Sequence, residues 1–192
     1  MSTRIERDIA FDSAVHFAGG YYISQYYITL SMLVQTDNIV EQNKALERIL
    51  HFSNTTLHNT LFINQSDTDA ICKYKNAGMR VAVMPDDPYD QIVSMTLLQK
   101  FNAITEGRLH VTDCTLGSSL GDGVRFCTVQ EASENAMDSA PDLWWNSNNL
   151  CTENLADKMC APEKIVHLFS DDAWETLGLT FEKKKGKKAN KK

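Results

Sequence analysis

Residues Tyr21 to Val34, YYISQYYITLSMLV, decide how the fold is read. The run is dense in aromatic and β-branched side chains and follows Gly19-Gly20, a natural break, so it reads as one long strand. Alternation places Tyr22, Ser24, Tyr26, Ile28, Leu30, Met32 and Val34 on one face, and Tyr21, Ile23, Gln25, Tyr27, Thr29, Ser31 and Leu33 on the other. The first set is the more apolar and is the expected core face.

Beyond this strand, Thr36-Asp37-Asn38 offers N-cap oxygens, and Glu41 follows Asn38 at capping-box spacing. Ile39, Leu46, Ile49, Leu50, Leu57 and Leu61 then recur at helical spacing, predicting a long helix weakened at Ser53-Asn54-Thr55-Thr56. Ser66-x-x-Asp69 opens a second, short helix that Gly78 closes. Met79 to Met84 reads as a short strand and Pro85-Asp86-Asp87-Pro88 as a turn. In Tyr89 to Glu106, Ile92, Val93, Met95, Leu97, Leu98, Phe101 and Ile104 cover more than one stripe, so this helix is expected to be largely buried, with Gly107 at its C-cap. Strands at Arg108–Leu116 and Val124–Gln130 are joined through Gly117, Gly121 and Gly123 as a hairpin. A last short helix is expected within Ile165–Leu179, packed through Trp174.

The predicted order is β-α-α-β-α-β-β, an α+β fold with a small, mainly antiparallel sheet and helices packed on one face. It is expected to occupy residues 1–182 as a single domain, with an extended, irregular segment at 132–162 and a disordered lysine-rich tail at 183–192. Across 192 residues, 43% are hydrophobic, which is enough to build one sizeable core. The tail holds seven lysines and no acid, so the rest of the chain carries −13 although the whole carries −6. An acidic body argues against a broad nucleic-acid face, while the tail itself can touch phosphates or an acidic partner. Five cysteines without any C-x-x-C pair read as reduced thiols. The charged start, Met1 to Asp8, has no apolar core of a signal peptide, and no apolar run is long enough to span a membrane; the expected location is the cytoplasm.

Asp86, Asp87 and Asp90 lie where a strand gives way to a helix. Clustered carboxylates of this kind suit a divalent cation, with Glu106 and Asp113 as further donors, yet turn and helix-start capping explains the same residues. His110 and Asp113 are separated by an odd number of residues and fall on opposite strand faces unless a bulge intervenes. His51 and His58 are two helical turns apart, too far to chelate one ion, and His16 and His167 have no local partner. Gly117 to Gly123 lacks the lysine and following helix of a phosphate-binding loop. Neither a nucleophile elbow nor a cofactor motif occurs, and no cofactor is expected. Trp144-Trp145, set among Asp142, Asn146, Ser147, Asn148 and Asn149, is the expected partner-binding anchor, meeting another protein or a second copy of the chain; packing on a core edge through a turn is the alternative.

Several of these stretches carry a resemblance. Ala45-Leu46-Glu47-Arg48, Asp90-Gln91-Ile92 through Asn102-Ala103, Glu106-Gly107-Arg108, Val111-Thr112-Asp113, Leu120-Gly121-Asp122 and Trp144-Trp145 are similar to an uncharacterised protein type of tailed phages of marine bacteria, over about residues 21–146. That resemblance implies a phage-encoded protein of the host cytoplasm and brings no activity with it. Phe11-Asp12-Ser13-Ala14-Val15-His16 resembles the pyruvoyl-tetrahydropterin synthases, whose further zinc histidines in a His-Gly-His context are missing from this chain. The expected function is therefore non-catalytic and carried by protein contacts, as in a phage accessory or assembly protein. The alternative is a divalent-metal phosphohydrolase or nuclease built on Asp86, Asp87 and Asp90.

A polar terminal run buries nothing, so deleting Lys183 to Lys192 is expected to leave the urea midpoint unchanged. A clear fall in the midpoint would mean that the tail docks on the acidic body.

Overall fold

The computed structural model describes residues 3–130, 143–152 and 173–181. Two long antiparallel strands, β1 (Arg4–Phe17) and β2 (Gly20–Val34), form the spine of a six-stranded sheet. Ala18 and Gly19 both adopt positive φ, +49° and +73°, and make the two-residue turn whose twist matches the flanking strands. Sequence reading assigned no element to residues 4–17, whose first half is rich in charge. Apart from Arg7, those charges (Arg4, Glu6, Asp8 and Asp12) are the outward half of an alternation whose inward half, Ile9, Phe11, Ser13 and Val15, is buried. On β2, Ser24, Tyr26, Ile28, Leu30 and Met32 are buried on the expected face, while Tyr22 is exposed beside the turn.

Helix α1 (Ile39–His51) starts at Asn38, whose side chain accepts from the N–H groups of Val40 and Glu41. It runs on into a π-helical segment, Phe52–Leu57. There the Ser53 hydroxyl bonds back to the Ile49 carbonyl at 2.9 Å, a competing bond that weakens regular helix. The helix does not reach Leu61 as the spacing predicts; Leu61 begins β3 (Leu61–Asn64), after Asn59 takes a left-handed φ of +59°. Then come α2 (Thr68–Asn76), β4 (Val81–Met84), α3 (Asp90–Thr105), β5 (Leu109–Ser118), β6 (Arg125–Val129) and the single-turn α4 (Ala173–Thr176).

The strand order is β4-β3-β1-β2-β5-β6. Pairs β1–β2, β2–β5 and β5–β6 are antiparallel, but β1–β3 and β3–β4 are parallel, so the sheet is mixed rather than simply antiparallel. The helices also divide. Helices α1 and α3 cover the main core, while α2 covers the opposite face through Ala14, Leu61, Ile63, Ile71, Val81 and Val83. Parallel strands β3 and β4 are apolar on both sides, and each side needs a cover.

In α3, Val93, Leu97, Leu98, Phe101 and Ile104 are wholly buried, as predicted, and Glu106 and Gly107 end it in left-handed conformations. Lys100 is also wholly buried. Its Nζ donates to the carbonyls of Trp144 (2.8 Å), Ser147 (2.9 Å), Asn149 (2.8 Å) and Cys151 (3.4 Å). Burial pushes the Lys100 pKa down to about 7, opposed by the charge that Cys151 can carry nearby.

Trp144 and Trp145, expected as exposed anchors, are each only 1% exposed. The reason is local: residues 143–147 turn, with Asn146 N–H donating to the Leu143 carbonyl, so neighbouring indoles both face inward as they cannot on a strand. Trp144 donates to the Val83 carbonyl at 2.7 Å, lies stacked against Phe52 and meets Trp145 edge-on. Most of the expected irregular segment 132–162, all of the tail and most of the expected last helix lie outside the described residues; within them, α4 carries the buried Trp174. Cys114, Cys127 and Cys151 are free thiols, whereas Cys72 is disulfide-bonded, a departure from the reduced state expected throughout. Among the described residues no helix is long and apolar enough to cross a membrane.

Lys100→Met is expected to lower the unfolding free energy by about 2 kcal/mol or more, because it strips several carbonyls of their donor at once. Hydrogen exchange at residues 144–151 is expected to accelerate along with the fall in urea midpoint. An unchanged midpoint would mean that water replaces the ammonium at no cost.

Candidate functional site

The expected metal cluster does not assemble. Asp86 and Asp87 stay in the turn after β4, where the amide of Asn64, the last residue of β3, donates to Asp87 Oδ1 at 2.8 Å and Asp86 Oδ1 at 3.4 Å. Asp86 Oδ1 also accepts the Asp87 backbone N–H, a local turn bond. Asp90, the first residue of α3, lies instead against Ser118 and Gly121 of the β5–β6 hairpin. Glu106 sits at the far end of α3 in ion pairs with Arg48 (2.8 Å) and Arg108 (3.7 Å), and Asp113 pairs with Arg4 at 3.2 Å. Among the described residues no group of three or more His, Cys, Asp or Glu side chains could hold an ion.

The histidines scatter too. A register shift opposite Ser31 and Met32 inserts one extra residue, Thr112, into β5, and this bulge puts His110 and Asp113 on the same face after all. Asp113 is nevertheless taken up by Arg4 and by the Thr112 hydroxyl. His16 Nδ1 lies 3.4 Å from Asp67, His58 Nδ1 accepts from the Asp12 N–H, and His51 packs edge-on to Trp174, where burial lowers its affinity for a proton. His167 lies outside the described residues.

What does converge is a cleft at the turn end of β1 and β2. Val15, Phe17 and Tyr26 come from these strands, Pro88, Tyr89 and Asp90 from the start of α3, and Ser118, Leu120, Gly121, Val124 and Phe126 from the β5–β6 hairpin. The cleft holds about 370 Å³, within the range of small-ligand sites. Its rim is apolar and open: Tyr89, Leu120 and Val124 are each about half exposed, and Phe17 packs against both Tyr22 and Tyr89.

Asp90 is the one charged residue of this lining. Its Oδ2 is shielded from solvent and has no hydrogen-bond donor. Burial raises its carboxyl pKa above the ordinary range, opposed by the Ser118 hydroxyl and backbone N–H, neither of which reaches Oδ2. Tyr26 is held in its neutral form by burial and by the neighbouring Asp90 charge. The arrangement offers aromatic surface, the three hydroxyls of Tyr26, Tyr89 and Ser118, and a carboxylate that no basic side chain of the lining neutralises.

Sequence reading named Asp90 but for a different role, placed Tyr26 on the core face and Gly121 in a plain hairpin connection, and gave no role to the charges of Lys100 and Arg48. Arg48 is buried, donating to the carbonyls of Leu179 and Ile104 and to Glu106, with Trp174 and Phe181 against its guanidinium. A basic residue within the apolar stripe of a helix is the available signal for such a structural cation. For Asp90 the signal is an acid opening a helix that otherwise reads as core.

No family model matches the chain, and neither does any curated protein. Among solved structures, an uncharacterized protein from Wolinella succinogenes matches with a TM-score of 0.53 and 9% identity, covering 68% of this chain and 99% of that one. Two variants of Plasmodium vivax 6-pyruvoyltetrahydropterin synthase, altered at a catalytic residue, match with TM-scores of 0.41 and 0.44, at 7% and 10% identity, covering 67% of this chain and 97% of theirs. The first likeness shows a shared fold and nothing further.

With its pKa raised, folded Asp90 keeps its proton at pH values where the unfolded chain has released it. The charged carboxylate therefore costs stability as pH rises through that window, and the cost persists above it. Asp90→Asn is expected to melt above the wild type at pH 7, with the difference closing as pH falls below the usual aspartate range. Equal melting at pH 7 would mean that the carboxylate is fully solvated.

Proposed function

We propose that this chain is a non-catalytic binding protein whose site is the Asp90 cleft, and that its ligand is a small molecule with a flat apolar body and a positively charged or N–H-rich edge. The observation that carries this reading is the uncompensated Asp90 carboxylate within an aromatic, half-open cleft. A shielded carboxylate oxygen without a donor is unfavourable by itself and gains from any ligand that brings one. The aromatic rim supports a flat ligand, since rings of Phe17, Tyr89 and Phe126 provide apolar contact at low entropic loss. The contact role expected at the tryptophan pair moves to this cleft, because the indoles have no accessible surface to offer. The phosphohydrolase or nuclease alternative has no converging carboxylates among the described residues to support it.

Two probes test the reading. Nile red, which is neutral, reports the apolar cleft, and benzamidine reports its charge. Saturable one-to-one binding of both is expected, with benzamidine at least about tenfold weaker in Asp90→Asn. Benzoate, of similar shape and opposite charge, is expected not to compete. Absence of saturable binding by both probes, or hydrolysis of bis(p-nitrophenyl) phosphate that depends on added Mn²⁺ and on Asp90, would overturn it.

A further inference from the structure

Gly121 stands in the tip of the β5–β6 hairpin, and its backbone does not require glycine. The left-handed residues of this tip are Asp122 and Gly123, at φ +49° and +82°, and Gly121 is not among them. What a side chain at 121 would meet is Asp90: a Cβ built there falls 2.8 Å from Oδ2, with the Val124 and Ser118 carbonyls at 3.4 and 3.5 Å. The carboxylate oxygen therefore occupies the space that a side chain at 121 would take. Gly121 supplies no donor, because its N–H goes to the Ser118 carbonyl at 3.2 Å. The tip thus closes Oδ2 off from water and gives it nothing in return.

We infer that Gly121 is a positioning residue for the cleft: its missing side chain lets the hairpin tip seat and dehydrate Asp90, so that the ligand's own N–H must satisfy Oδ2. This rests on the cleft being a ligand site. It adds a rule about the ligand. Space beside Oδ2 is bounded by the Gly121 backbone, so the donor edge has to be thin, an unsubstituted amidine-type or amine N–H rather than an alkylated nitrogen. The tip that must admit it is anchored at Ser119, whose Oγ accepts the Gln25 N–H at 3.1 Å, and is open to solvent beyond it. Ser119 N–H bonds the Gln25 carbonyl and Val124 N–H bonds the Gly121 carbonyl, both at 2.9 Å, while Leu120 and Val124 remain half exposed. Ser118 fixes the other side of the arrangement, its hydroxyl accepting from the Leu120 N–H at 3.3 Å while it also contacts the Asp90 carboxyl.

The test compares wild type, Gly121→Ala and Asp90→Asn in binding benzamidine, N,N-dimethylbenzamidine and Nile red, together with an NMR titration of the Asp90 side chain without ligand. Wild type is expected to prefer benzamidine over its dimethyl derivative by about tenfold or more. Gly121→Ala, whose Cβ displaces Oδ2 into water, is expected to weaken benzamidine by a similar factor and to bring the Asp90 titration down toward the ordinary aspartate range. Nile red binding is expected to stay near wild type. The variant is expected to melt at or above the wild type at pH 7, because its Asp90 carboxylate is no longer dehydrated, which separates positioning from loss of fold. The titration needs neither ligand nor tight binding, so it reads the role of Gly121 even where the variant binds no probe. Unchanged benzamidine affinity and an unchanged Asp90 titration in Gly121→Ala overturn the inference while leaving the cleft a binding site. Failure of wild type to bind either probe removes the site itself, and the inference with it.

Discussion

The ammonium of Lys100 sits where no water reaches, and residues 143–152 fold so as to supply it with oxygen. A charge buried this deeply is tolerated only when its donors are used, and the carbonyls of Trp144, Ser147, Asn149 and Cys151 use them. The placement of the tryptophans follows. With the backbone of the segment drawn toward Lys100, Trp144 reaches across to the Val83 carbonyl of edge strand β4, covering a backbone acceptor that a sheet edge otherwise leaves open. One lysine on a core helix thus joins a polar, irregular segment to the sheet.

Helix α3 distributes charge along its length. Lys100 near its middle holds residues 143–152, and Glu106 just past its end holds Arg48, which in turn binds the Leu179 carbonyl and packs on Trp174 and Phe181. At its start stands Asp90, which has no such cation. The contrast gives the cleft its meaning. The fold provides buried Lys100 and Arg48 with partners, and it leaves Oδ2 of Asp90 without one beneath a glycine that could have been another residue. A carboxylate at a helix N-terminus is ordinarily explained by the helix dipole alone; dehydration of one oxygen is not.

The mixed sheet explains why the helices cannot all lie on one side. The β1–β2 hairpin and β5–β6 are solvated on their outer face, where Ile23, Tyr27 and Val129 are exposed. Strands β3 and β4 join β1 in parallel, and their outward residues Leu61, Ile63, Val81 and Val83 are covered by α2. The cleft opens at the solvated half, where the hairpin turn of β1–β2 and the tip of β5–β6 approach the start of α3 and no helix covers them.

Periodicity by itself determined the elements whose pattern is strong: the core face of Tyr21–Val34, the buried helix through Leu97 and Phe101, the Asn38 cap and the hairpin after Leu116. It failed on β1, where charges hide a strand until its fourteen-residue pairing with β2 is seen, and on β3, where an apolar run of three residues closed by Asn64 carries no period of its own. The site was legible only as a composition, acids before a helix and glycines in a hairpin. Local patterns state which face a side chain occupies, but not which distant backbone will meet it. That Asp90 should part from Asp86 and Asp87, that Trp144 and Trp145 should both turn inward, and that Gly121 should rest on a carboxylate were decided by tertiary contacts between segments about 30 to 60 residues apart, for which sequence periodicity holds no term.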